Sequence, residues 1–78
     1  MARVKLSLTC IREPSCVVSF EPEGAQHELV AGDIFHVEIV GSGSGEVEIV
    51  HRPHGLSVWA WGGAETTVHN KAGNRLSV

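Results

Sequence analysis

Apolar and polar residues alternate along most of this chain, as in Val4-Lys5-Leu6-Ser7-Leu8 and Phe35-His36-Val37-Glu38-Ile39. A period of two puts successive side chains on opposite faces of a β-strand. β-branched residues crowd these runs, and nine glycines and three prolines interrupt them every eight to twelve positions or so, at about the spacing of short antiparallel strands and their turns. No segment carries the 3.6 period of a helix. The pattern predicts about eight strands, near Arg3 to Cys10, Cys16 to Phe20, His27 to Ala31, Ile34 to Val40, Glu46 to His51, Leu56 to Trp61, Thr66 to Asn70 and Arg75 to Val78.

With 78 residues the chain is too short for two cores that would each fold unaided, so residues 1–78 are expected to form a single all-β domain. So many short strands in one flat sheet would leave an apolar face bare. They are expected to close into a small antiparallel sandwich or a jelly-roll-like barrel, the two-sheet sandwich being preferred. A content of 42% hydrophobic and 19% charged residues is too apolar for a disordered segment. No apolar run approaches the ~18 residues of a membrane-spanning helix. Nine acidic against six basic side chains leave a charge of −3, the wrong sign for a nucleic-acid partner. Met1-Ala2-Arg3-Val4-Lys5 leads straight into alternation and not into the apolar stretch of an export signal, so the expected location is the cytoplasm.

Cys10 and Cys16 flank a turn at Pro14-Ser15 that brings the two thiols towards each other. In a reducing compartment the first expectation is two small buried hydrophobes, with a disulfide or a shared metal as the alternatives. Gly32-Asp33 reads as turn chemistry, with Asp33 in a structural role.

The Gly41-Ser42-Gly43-Ser44-Gly45 segment reads as a hairpin loop between two strong strand signals. Symmetric pairing about Gly43 would place Phe35, Val37 and Ile39 opposite His51, Ile49 and Val47 on a core face. On the other face it would oppose Glu38 to Glu48, like charges that cost a few tenths to about 1 kcal/mol unless something intervenes. His36 lies two residues away. His36, Glu38 and Glu48 are therefore a candidate divalent-metal site, or an acidic patch for a basic partner, beside the plainer reading of a solvated face. Five histidines are many for this length. His51 and His54 bracket Arg52-Pro53 in a predicted turn and are further candidate ligands, although a turn is a poor frame for zinc.

Trp59 and Trp61 are expected on one face of a strand, with Leu56, Val58 and Ala60 on the other, so both faces want cover. Core packing, a subunit interface and a ligand platform are the readings left open for the two indoles.

Glu21-Pro22-Glu23-Gly24, followed by the stretch from His27 through Gly32-Asp33 to Val37, resembles the Gly-Asp turn leading into a strand of cupin-type jelly rolls. His36-x-Glu38 matches a fragment of the cupin metal motif, and Pro53-His54-Gly55 is faintly similar to its second motif. The resemblance implies a jelly roll with a metal or small-ligand site. Over its full length, above all from Val58-Trp59-Ala60-Trp61 through Val68 and Gly73, the chain also resembles small uncharacterised bacterial all-β proteins, which implies a fold without an activity.

No G-x-S-x-G elbow and no phosphate-cradling loop occurs, and a core this small leaves little room for a substrate cavity. No catalytic residue and no obligatory cofactor are expected. The sequence points to a non-catalytic interaction module that self-associates as a homo-oligomer, with Trp59 and Trp61 as interface anchors, outside any membrane. The alternative is a cupin-like small-ligand or metal-binding protein using His36, Glu38 and Glu48.

Overall fold

A computed structural model describes residues 1–78. It contains eight strands and no helix: β1 (Ala2–Leu8), β2 (Ser15–Glu21), β3 (Ala25–Val30), β4 (Phe35–Gly41), β5 (Glu48–Arg52), β6 (Gly55–Trp59), β7 (Glu65–His69) and β8 (Arg75–Leu76). Each falls where the alternation predicts one. Two four-stranded sheets form a jelly-roll-like sandwich, the first ordered β1-β4-β7-β8 and the second β3-β2-β6-β5. Hairpins join β2 to β3, β5 to β6 and β7 to β8, while β2 and β6 lie parallel.

The predicted β4–β5 hairpin does not form. β4 lies between β1 and β7, with Val37 flanked by Leu6 and Val68 and Ile39 by Val4 and Thr66. Both edges of β4 are therefore taken by strands that extend its apolar face, and the chain crosses from Gly41 into the second sheet. Glu38 accordingly faces Lys5 and Thr67, not Glu48. The glycines allow a crossing that a longer side chain would block: a Cβ on Gly41 would lie 2.7 Å from the Ala64 Cα, and Gly43 has a φ of 118°.

The core draws on both sheets. Phe35, Val37, Ile39 and Val68 from the first meet Val18, Phe20, Leu29 and Val58 from the second, with Cys10 at one end. The Phe20 and Phe35 rings span the sandwich with centroids 6.5 Å apart, and His27 packs edge-on against Phe35 at 6.4 Å. The His27 Nε2–H donates to the Ser77 carbonyl at 2.6 Å. An imidazole thus packs on the aromatic pair at one face and ties β3 to the C-terminal end at its polar tip.

Cys10 and Cys16 form a disulfide, their Cα atoms 5.9 Å apart. This corrects the first expectation of two free, packed thiols. The turn that carries β1 into the second sheet brings the cysteines within bonding range, and so short a closed loop adds about 2 kcal/mol by restricting the unfolded chain.

Asp33 joins two turns at one end of the sandwich. Its Oδ1 accepts the Ile34 N–H at 2.8 Å and the Lys71 N–H at 3.0 Å. These backbone donors, that of Lys71 foremost, hold the carboxyl below its ordinary pKa. A carboxylate whose folded pKa is depressed contributes stability above its unfolded pKa and loses it as the pH falls through the folded value. Asp33→Asn keeps the acceptor and removes the charge. It should be less stable than the parent in urea at pH 7, with a gap that narrows steadily as the pH is lowered from about 5. A gap that is constant with pH would show that the charge contributes nothing.

Candidate functional site

The outer face of the first sheet carries His36 and Glu38. His36 is exposed on β4, with Ser7 beside it on β1 and His69 beside it on β7. Directly opposed residues in an antiparallel pair hold their Cβ atoms about 5 Å apart, so the His36 and His69 imidazoles are neighbours. Together with Lys5, Ser7, Glu38 and Thr67 they line a shallow depression of about 400 Å³. The Glu38 carboxylate belongs to cations of β1, its Oε2 lying 3.5 Å from Arg3 Nη1 and 3.9 Å from Lys5 Nζ. These pairs are well exposed and worth less than about 1 kcal/mol each. Basic side chains thus neutralise Glu38, and Glu48, its expected partner across a hairpin, lies on the other sheet.

The other candidate ligands are elsewhere. Glu48 and His51 lie on β5 in the second sheet, opposite Trp59 and Leu56, and His54 is exposed in the β5–β6 turn. The set of His36, Glu38, Glu48, His51 and His54 is divided between the two sheets because β4 and β5 do not pair. No three His, Cys, Asp or Glu side chains are grouped so as to hold a metal. The two imidazoles of His36 and His69 supply at most two of the three or four protein ligands that a zinc site needs. His69 was missed by sequence reasoning, and no local signal marks it: its closeness to His36 exists only through the β4–β7 register.

The two tryptophans do not share a face. β6 ends at Trp59, whose side chain stands on the outer face of the second sheet beside Glu21 and Glu48 and remains 38% exposed. Trp61 lies beyond the strand and packs against the core. Its Nε1–H donates to the Ser42 carbonyl at 2.8 Å, and its ring rests on Gly43, where a Cβ would come within 2.9 Å of Cδ1. Trp61 is therefore a core residue at the end of the crossing loop, and Trp59 alone is an exposed anchor. Leu56 and Val58 are directed inward, with Val58 fully buried.

The outer face of the second sheet is otherwise mixed. Val17, Val30 and Val50 are exposed on it, separated by Ser19, Ser57 and the stem of Arg52. Ser57 is buried there, its Oγ accepting a hydrogen bond from the Arg52 Nε–H at 2.6 Å. All five residues of β5 are exposed. Ile49 shares the inward face of Val58 by register and is nevertheless 47% exposed, since β5 is the last strand of its sheet. An open cleft of about 390 Å³ between the end of β1 and the β5–β6 turn is lined by Leu8, Ile11, Leu29 and Leu56 near His51 and Cys16, and of these four only Ile11 is well exposed.

Comparison with protein-family models, with curated proteins and with solved structures finds no match to this chain. It has no helix long and apolar enough to cross a membrane.

Proposed function

We propose that this chain is a non-catalytic all-β interaction module that works as a homo-oligomer, associating through the β6–β5 side of its second sheet. The observation that carries this reading is Trp59, a large aromatic left 38% exposed on an outer sheet face, beside an edge strand that is exposed along its whole length. Exposed tryptophans of this kind are the side chains that anchor protein interfaces, and truncating one typically costs about 2 kcal/mol or more of association. The acidic balance of the chain speaks against nucleic acid as the partner. The Cys10–Cys16 bond favours a compartment in which thiols stay oxidised over the cytoplasm suggested by the N-terminal residues. The alternative of a metal- or ligand-binding jelly roll using His36, Glu38 and Glu48 has no geometric support, because Glu48 stands on the opposite sheet from His36 and Glu38.

Sedimentation velocity over a range of concentrations tests the proposal. The parent protein should sediment as an oligomer at micromolar concentration, and Trp59→Ala should shift it to a folded monomer. A parent that is monomeric throughout, or an oligomer indifferent to Trp59→Ala, would overturn it.

A further inference from the structure

We infer that two copies pair edge to edge through β5, antiparallel about a two-fold axis at Val50, so that Glu48 of each copy faces Arg52 of the other; this rests on the self-association proposed above. β5 pairs only with β6, and none of the remaining backbone hydrogen bonds involves its five residues. Its far edge therefore presents unpaired N–H and C=O groups, the template for another strand. The other three edges are less suited to pairing with a second copy. β1 carries Arg3 and Lys5 and β8 is two residues long, while β3 is an open edge whose outer face carries Glu28 as its one charge and so is not complementary to itself. β5 instead centres on Ile49-Val50.

The charges at the two ends of this strand make it complementary to itself. Glu48 and Arg52 both stand on the outer face with Val50, and neither has an ion-pair partner within its own chain. Antiparallel pairing about Val50 sets Glu48 against Arg52 of the second copy at both ends, Val50 against Val50, and Ile49 against His51. A two-fold axis at a residue pair is compatible with either kind of antiparallel pair. The bond from Arg52 Nε to Ser57 draws the guanidinium over β6, so pairing requires the side chain to swing out towards the free edge, where its Nη nitrogens can meet the incoming carboxylate. A slip of two residues would oppose Glu48 to Val50 and shorten the ladder to three residues of β5. The centred register alone uses the whole strand, covers both exposed Ile49 side chains, and joins the second sheets of two copies into a continuous eight-stranded sheet. Trp59, the register neighbour of Glu48 on the same face, backs the Glu48 side of each Glu–Arg pair without meeting the second copy itself, so Trp59→Ala acts on the dimer through Glu48.

Sedimentation equilibrium of the parent, Glu48→Arg, Arg52→Glu and the double variant tests the register. Each single reversal puts like charges face to face at both ends and should weaken the dimer about tenfold or more, while the double variant, which restores complementarity, should recover most of the loss. A separate readout does not depend on the Arg52–Ser57 bond. Val50→Cys places two thiols at the axis, where paired Cα atoms lie about 4.5 to 5.5 Å apart, and should oxidise to a covalent dimer. Val30→Cys, on the β3 edge and more exposed than Val50, should not. A parent dimer that is unaffected by the single reversals and not cross-linked by Val50→Cys would leave self-association standing and overturn the β5 register. A parent that never dimerises would overturn both.

Discussion

Gly55→Ala is expected to unfold the domain or leave it barely folded, although it adds a single methyl group. Gly55 opens β6 beside Val17 of β2, where the two strands run parallel, and the Val17 N–H donates to the His54 carbonyl at 2.9 Å. A Cβ on Gly55 would fall on the Val17 carbonyl oxygen and within 2.7 Å of its carbon and 2.8 Å of its nitrogen. The obstacle is backbone, which cannot rotate away as a side chain can. Relief requires β2 and β6 to separate, and that contact is what joins the β2–β3 and β5–β6 hairpins into one sheet. The effect should far exceed the ~1–3 kcal/mol of ordinary overpacking. Far-ultraviolet circular dichroism and a urea titration check it, and a parent-like midpoint for Gly55→Ala would show that the strands do not approach so closely.

Phe20→Ala should cost about 3 to 5 kcal/mol. Phe20 is 2% exposed and reaches from the second sheet to Phe35 of the first, with His27 6.4 Å away. Its removal opens a cavity between the sheets and withdraws the surface against which His27 packs. A domain of this length has about 4 to 12 kcal/mol of stability in total, so the variant should melt far below the parent. The disulfide limits the unfolded chain but cannot fill the void. A drop in the urea midpoint that corresponds to less than about 1 kcal/mol would mean that the sheets close over the gap.

The individual strands were legible because alternation is a local property. Val37 and Val68 declare their inward direction through polar neighbours on either side, Ile39 and Val58 through a polar neighbour on one, and all four are buried. Pairing was not legible. The glycine-serine segment after β4 looks like a hairpin loop, yet β4 is claimed on both sides by β1 and β7, and nothing near Gly43 reports the existence of those competitors. Every site built on that hairpin moved with it. Glu38 found Arg3 and Lys5, Glu48 came to lie beside Trp59, and His36 acquired His69, a residue 33 positions away in the chain. Trp61 departed from its expected face for a similar reason, since β6 ends at Trp59 and the indole is drawn onto Gly43 of the crossing loop.

The sequence by itself determined the fold class, the number and position of the strands, and most of the inward-facing side chains, because each depends on the φ/ψ preference and polarity of residues within a few positions of one another. Only the tertiary structure decided which strands are neighbours, that Cys10 and Cys16 are bonded, and that Trp59 is left outside while Trp61 is taken in. Those outcomes depend on the competition among all eight strands to cover two apolar faces at once. A competition of that kind is settled by total burial and backbone pairing over the whole molecule, which no single stretch of residues encodes.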